Sequence, residues 1–299
     1  MTTLDHVVGE VATPEFEHAN EQLKRRRGFL MALPAYAYLV VFFALPLVFV
    51  VIYSFATRNR FGGTDLAGWN LDSYQRLFTD DLVGTILARS LWLALLTTVI
   101  CLVIAYPFAY YMSTRPESVR NLMLVFVMIP FWTNFLVRNY AWRVILGTDG
   151  PLSQTTEFLG LGPQKYLFTS TAIVLGMVYG FLPFMVLPLY AAIERIDHGL
   201  LEAARDLYGT GVQSFRHVLL PLSMPGVIAG SILVFVPSLG AYVTPEILGG
   251  AKTKLLGSHI VTQFLEARNW PFGAALSFVL MAVMLATTII YFRKGGRTL

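Results

Sequence analysis

The residue types that carry out enzyme chemistry are sparse in this sequence and form no catalytic or metal-binding pattern. The five histidines are scattered without H-E-x-x-H spacing, and the single cysteine, Cys101, has no partner for a disulfide or a metal site. The segment Gly250-Ala251-Lys252-Thr253 ends like a nucleotide-binding loop, but Ala251 stands where that loop has glycine. We therefore expect no enzyme activity, no metal site and no ATPase site in this chain.

Charged residues concentrate instead between residues 194 and 222, between two long apolar runs. The spacing i, i+3, i+4, i+7 predicts a short helix with one narrow apolar face, formed by Leu200, Ala203, Ala204 and Leu207. Glu202 can pair with Arg205 but faces the like-charged Asp206 one turn later, which costs a few tenths of a kcal/mol. Two interpretations follow: an ordinary solvated helix, or a face of low relief on which another protein docks.

The composition is that of a polytopic membrane protein. Of 299 residues, 56% are hydrophobic and 13% are charged, against about 25% charged in soluble domains. Six windows lack Asp, Glu, Lys and Arg, and five of them exceed the roughly 20 residues that cross a bilayer. We predict an all-α protein with a transmembrane domain over residues 28–299. Its six spans are expected at residues 29–55, 86–112, 122–146, 171–192, 227–248 and 272–292.

Basic residues predict the orientation of these spans. Lys24 to Arg27 precede the first span, and Arg293, Lys294 and Arg297 follow the last. Because cytoplasmic flanks are enriched in Lys and Arg, both termini and the 194–222 loop are expected inside. Residues 1–27 are expected to form a cytoplasmic tail. The first apolar run is about twice as long as the core of a signal peptide, so it is expected to stay uncleaved.

The sequence of the charged loop also resembles a known family. Glu202-Ala203-Ala204, followed eighteen and nineteen residues after the Glu by Leu220 and Pro221, resembles the EAA loop of ABC-transporter permeases. The resemblance implies the type I importer permease fold and a loop that docks on the ATPase subunit. Its implied coupling residues are Glu202, Ala203, Ala204, Arg205, Asp206, Leu207, Gly209, Leu220 and Pro221. Tyr208 occupies the position where the family usually has glycine, and glycines follow at 209 and 211.

Other motifs are similar to the spermidine/putrescine subfamily of these permeases. They lie at residues 130–134, 182–190, 245–250 and 269–275. The resemblance implies four kinds of partner: a second, non-identical permease, two ATPase subunits that bind ATP and magnesium, a periplasmic binding protein, and the lipid of a bacterial inner membrane. No cofactor is expected in this chain, and no nucleic acid is expected to bind it.

A polyamine or related organic cation needs carboxylates and aromatic faces along its route. The candidate pathway residues are Trp132, Asn134, Tyr179, Tyr242 and Glu246. Alternatives remain open for each. The aromatic residues suit an interfacial belt, and Glu246 can pair with Lys252 or Lys254.

Two arginines leave the cargo open. Arg138 and Arg143 either extend to the outer interface or line the pathway, where they suit another solute such as an amino-acid derivative, an opine or an organic anion. A membrane enzyme or a channel is the remaining alternative to a transporter.

Overall fold

The structure, a computed structural model, describes residues 31–59, 63–66, 68–160, 165–208, 210–250 and 253–295. Eleven labelled helices, a separate π-helical segment at Pro245–Gly249 and two short strands are found there. The labelled elements are α1 (Met31–Ser54), β1 (Thr57–Arg58), β2 (Thr64–Asp65), α2 (Asp72–Thr79), α3 (Asp81–Ser113), α4 (Glu117–Trp132), α5 (Phe135–Ile145), α6 (Pro151–Phe158), α7 (Ser170–Glu194), α8 (His198–Tyr208), α9 (Gly211–Leu239), α10 (Leu256–Leu265) and α11 (Trp270–Gly295). The chain divides into two compact units, Met1–Ile52 and Tyr53–Leu299.

Five of the described helices are long and apolar enough to cross a membrane: α1, α3, α7, α9 and α11. In lipid, a helix satisfies all of its interior backbone groups by itself, which is why charge-free segments of this length become helices. Polar caps set where two of them, α3 and α7, begin. Asp80 accepts from the amide of Leu82 (3.1 Å), and Thr169 accepts from the amide of Ala172 (3.2 Å).

The core of the second unit is formed by α3, α7 and α9. Their buried side chains make one cluster that includes Cys101, Met112, Met185, Leu189 and Val234. Glycines bring α9 close to α7. A Cβ on Gly226 would lie 2.5 Å from the Ala192 Cβ, and one on Gly230 would lie 2.7 Å from the Met185 sulfur. Such small residues permit the short interhelical distances on which packing in a membrane depends.

The third span is not the single helix expected at residues 122–146. Helices α4 and α5 meet at an angle of 88°, so they form a broken span or a re-entrant loop. The break follows from local sequence, because Thr133 is extended and Asn134 starts a new helix by accepting from the amides of Leu136 (2.9 Å) and Val137 (3.3 Å). The prediction of one continuous span was wrong at this point.

The fifth span is displaced from the predicted residues 227–248. Helix α9 begins at Gly211, includes a π-helical turn at Phe215–Leu219, and ends at Leu239. After it, Ser258 of α10 donates to the carbonyl of Tyr242 (3.2 Å), and a Cβ on Gly257 would lie 2.6 Å from the carbonyl oxygens of Gly240 and Ala241. The chain therefore leaves the helix where α10 packs against its backbone. The absence of charge alone does not predict such an end.

Candidate functional site: the coupling helix and the broken span

Helix α8 lies in the 194–222 loop that the sequence singled out, and we call it the coupling helix after the role that the family resemblance implies. Only three residues separate it from α7, whose last residue is Glu194. The carboxylate of Asp197 accepts from the amide of Gly199 at 2.8 Å, in the position of a helix cap. A cleft of about 560 Å³ lies beside the start of this helix and is lined by α7 and α9 residues that include Pro188, Pro225 and Gly226.

The apolar face predicted for the coupling helix is divided in the structure. Leu200 is 51% exposed, Leu207 is 77% exposed, and Ala203 is also exposed, whereas Ala204 is 4% exposed and packs inward. Glu202 and Asp206 are exposed next to this surface. An uncovered apolar strip with acidic neighbours is typical of an interaction surface. The side chain of Arg205 and all of Gly209 lie outside the described part of the chain.

The start of α9 is fixed to the core directly after the coupling helix. Phe215 packs edge-on against Tyr106 with ring centroids 5.2 Å apart, and the Tyr106 hydroxyl hydrogen-bonds the Ser223 hydroxyl at 2.7 Å. Leu220 and Pro221, predicted as loop residues, belong to α9 and lie between these two contacts in the sequence. The segment that follows the coupling helix is therefore anchored on Tyr106 of α3.

A hydrogen-bond network holds the break between α4 and α5, which we call the elbow. The carbonyl oxygen of Pro130 accepts from the Thr133 hydroxyl (2.7 Å) and from an Nη of Arg138 (2.7 Å). The Arg138 guanidinium also lies 5.4 Å from the centre of the Phe135 ring and 6.0 Å from that of Tyr179. Arg138 therefore has a structural role that neither sequence interpretation had assigned to it.

The candidate pathway residues fall into two groups around α5 and α7. Trp132 (73% exposed) and Asn134 lie at the elbow, where the Asn134 side chain is used to cap α5. Tyr179 joins the same region, since it packs edge-on against Trp142 with a centroid distance of 5.5 Å. Among the aromatic side chains of the elbow, that of Trp132 is therefore the most exposed.

Tyr242 and Glu246 lie on a separate turn after α9. The Glu246 amide donates to the Tyr242 carbonyl (3.0 Å), and both side chains are exposed. The turn continues into the π-helical segment Pro245–Gly249, which packs on α7 near Gly176, one turn before Tyr179. Lys254 donates to the Thr262 hydroxyl (3.2 Å), and no ion pair to Glu246 is found among the described residues, which exclude Lys252.

Sequence reasoning missed two polar contacts that hold the site. One is Arg138 at the elbow, and the other is an ion pair between Arg120 of α4 and Glu194 of α7, with an N–O distance of 2.8 Å. The first had a local signal, because Pro130 followed by Thr133 and Asn134 ends one helix and caps the next. The second joins residues 74 positions apart, which no single sequence reveals. In the described part of the chain, no three His, Cys, Asp or Glu side chains are grouped to hold a metal.

Comparison with known proteins gives consistent results. The family model described as binding-protein-dependent transport system inner membrane component matches residues 82–293. The spermidine/putrescine transport system permease protein PotB of Escherichia coli strain K12 is 43% identical over 260 residues, which are 86% of this chain and 94% of that protein. PotB of Haemophilus influenzae is 42% identical over 264 residues, 87% of this chain and 91% of that protein.

A solved structure shares the fold at low sequence identity. It is a bacterial alginate ABC transporter in complex with an alginate pentasaccharide-bound periplasmic protein. The similarity has a TM-score of 0.72 at 16% identity and covers 93% of this chain and 96% of that one.

Proposed function

The chain belongs to the family of inner membrane components of binding-protein-dependent transport systems, and from this premise we propose that it is a permease subunit of an ATP-driven polyamine importer. In this proposal it forms half of the translocation pathway for putrescine, spermidine or a related organic cation. It is a multi-pass membrane protein. Its contribution is a pathway and a coupling surface, and the energy comes from another subunit.

The exposed strip of the coupling helix is the observation that carries this proposal. Leu200, Ala203 and Leu207 stay open to the surroundings at one end of the helix bundle, beside the acidic side chains of Glu202 and Asp206. A permease needs such a surface because ATP is hydrolysed on a different polypeptide and the motion must be transmitted by contact. Ala203 has the smallest side chain of the three and therefore allows a partner to approach closely.

The assembly that this role requires has several parts. We propose a second, non-identical permease as the other half of the pathway, and two ATPase subunits that hold ATP and magnesium and contact the coupling helix. A periplasmic protein delivers the cargo, and the alginate transporter of the same fold is likewise in complex with a periplasmic protein that holds an alginate pentasaccharide. Both termini and the coupling helix face the cytoplasm in this arrangement, because basic residues flank the first and last spans.

The polyamine assignment rests on the relatives and on local chemistry. Two PotB proteins are 42% and 43% identical to this chain over most of their length. Glu246 supplies an exposed carboxylate next to Tyr242, which is a suitable pair for an ammonium group. Arg138 and Arg143 were the reason to consider an anionic cargo, and the hydrogen bond from Arg138 to the Pro130 carbonyl gives one of these two charges a structural role.

Uptake by the assembled complex tests the proposal. The permease pair, the ATPase and the binding protein are reconstituted in liposomes, and labelled putrescine and spermidine are measured inside with and without ATP. We expect ATP-dependent uptake of at least one of the two. Uptake of neither, with ATP hydrolysis still stimulated by the binding protein, would reject the cargo and keep the transporter. A chain that does not co-purify with any ATPase would reject the importer itself.

A further inference from the structure

We propose that the Arg120–Glu194 ion pair links the coupling helix to the elbow of the broken span, so that both move together during transport. This inference rests on the proposed coupling function of α8. It assigns Arg120 and Glu194 as positioning residues, because neither is required to touch the ATPase or the cargo. The pair joins two elements that are adjacent in space and 74 residues apart in sequence.

Glu194 lies at the junction between α7 and the coupling helix. It is the last residue of α7, and only residues 195–197 connect it to α8. Asp197, in that connection, caps the first turn of the coupling helix through the amide of Gly199. In this proposal, a displacement of α8 reaches the end of α7 through this connection of three residues.

Arg120 receives this displacement at the start of α4. One of its terminal nitrogens lies 2.8 Å from a carboxylate oxygen of Glu194, and the two side chains are 26% and 41% exposed. An ion pair exposed to this degree contributes little to folding stability. The distance of 2.8 Å is that of a direct charge-assisted hydrogen bond, so the pair holds the start of α4 against the end of α7.

Helix α4 is well suited to be the moving part. None of its residues is buried, although Met123, Leu124 and Val127 pack partly on the core. Helix α7 has thirteen buried residues between Ala172 and Ile193, but the side chain of its last residue, Glu194, is 41% exposed and can follow the coupling helix. A loosely packed helix held by a charged contact at one end follows that contact when the contact moves.

The other end of α4 is the elbow. The Pro130 carbonyl there is bonded by Thr133 and by Arg138 of α5, so the two halves of the broken span are tied together. Trp132 and Asn134, two of the candidate pathway residues, lie within this tie. The complete path runs from the coupling helix through Glu194 and Arg120 along α4 to the elbow.

Charge exchange tests the link in the reconstituted complex. The variants are Arg120→Gln, Glu194→Gln and the exchanged pair Arg120→Glu with Glu194→Arg. The matched control is Arg115→Gln, since Arg115 lies five residues earlier and its side chain contacts only the ring of Tyr111, at 4.1 Å, among the described contacts. Co-purification with the ATPase is measured first, and then polyamine taken up per ATP hydrolysed.

We expect each single variant to assemble, to hydrolyse ATP and to lose at least about fivefold in uptake per ATP, the lower range of typical coupling between sites. The exchanged pair recovers most of that ratio, and Arg115→Gln keeps the wild-type value. A purely structural role would lower assembly and ATP hydrolysis along with uptake. Unchanged uptake per ATP in both single variants, or no recovery in the exchanged pair, would overturn the inference.

Failure of the proposed function gives a different result. Wild-type complex would then show no ATP-dependent uptake, or Glu202→Lys would leave uptake normal. If wild type transports and Glu202→Lys does not, while Arg120→Gln and Glu194→Gln behave as wild type, only the link through the ion pair is wrong.

Discussion

The guanidinium of Arg138 donates to the carbonyl oxygen of Pro130 at 2.7 Å, across the 88° break in the third span. Thr133 donates to the same oxygen, also at 2.7 Å. A helix that breaks inside a membrane exposes carbonyls that water cannot reach, and each unsatisfied group is costly. The elbow is stable because two side chains of the break itself satisfy the carbonyl at its corner.

Replacement of Arg138 by methionine should loosen the elbow. Arg138→Met keeps much of the length of the side chain and removes a charged donor, a change that costs about 1.5–3 kcal/mol. Thr133→Val removes the second donor to the same oxygen. Since the two donors share one acceptor, we expect the double variant to lose more stability than the sum of the single losses. The unfolding temperature of the purified complex measures each loss.

Arg143→Met is the control for charge removal in the same helix. Arg143 is exposed, and its described contact is the ring of Phe168, 6.0 Å from the guanidinium carbon. We expect little change in the unfolding temperature. If Arg138→Met and Arg143→Met lower the unfolding temperature equally, the loss comes from removing a positive charge from α5. The hydrogen bond to Pro130 would then contribute nothing to stability.

The elbow also shows where prediction from sequence ends. Charge-free windows indicated helices in the regions of α1, α3, α7 and α11, because length and lack of charge determine a spanning helix. They failed at Asn134 and at Gly240, where the chain leaves a helix without any charged residue. At Asn134 the cause is a side-chain cap, which is a local polar effect. At Gly240 the cause is the packing of α10 against the backbone, which is a tertiary effect. Hydropathy measures neither.

The exposed apolar strip of α8 was predicted only in part, because periodicity does not show which side chains the neighbouring helices cover. Periodicity correctly placed Leu200, Ala203 and Leu207 on one helix, but it did not separate the exposed Ala203 from the buried Ala204. Adjacent residues point about 100° apart on a helix, and both fit a narrow apolar face. Only the position of the neighbouring helices decides which of the two is covered.

That difference predicts opposite behaviour for two adjacent alanines. Ala203→Asp, on the exposed strip, should leave the chain inserted and stable and abolish uptake by spoiling the fit of the ATPase. Ala204→Asp places a carboxylate in a buried position and should lower the amount of folded protein itself. Membrane abundance and ATPase co-purification separate the two outcomes. Glu202→Lys should behave like Ala203→Asp, and normal uptake in both would remove the coupling role of α8.

The orientation of the chain is open to thiol labelling. The predicted topology places Ser73 and Thr156 outside and Ser214 inside. Thr156 and Ser214 are buried in the structure, so the exposed neighbours Gln75, Thr155 and Gln213 are better positions for labelling. Cysteine at 75 or 155 should react with an impermeant reagent added outside intact cells, and cysteine at 213 only after the membrane is opened. Native Cys101 is 0% exposed and should give no background. Reaction of position 213 from outside would reverse the assigned topology.

The cargo prediction concerns Glu246. Its exposed carboxylate lies one turn from Tyr242, and the described part of the chain supplies no ion-pair partner for it. An ammonium group passing this turn would gain an electrostatic attraction and a contact with the ring, worth about 0.5–2 kcal/mol for the ring alone. Glu246→Gln removes the charge at nearly constant volume, so it should reduce polyamine uptake several-fold at limiting cargo concentration and less at saturation.

Glu266→Gln is the matched control for this experiment. Glu266 directly follows α10, is exposed, and has no described ion pair, so its environment is similar to that of Glu246. Glu266→Gln removes one negative charge, as Glu246→Gln does. If Glu246→Gln and Glu266→Gln lose uptake equally, the cation is attracted by the summed negative charge of this part of the protein. Glu246 then does not form a specific contact with the cargo. If Glu246→Gln transports putrescine and spermidine like wild type, the polyamine cargo stands and the pathway does not pass this carboxylate. A loss confined to Glu246→Gln, and deepened by Tyr242→Leu, is the result that places the cation on this turn.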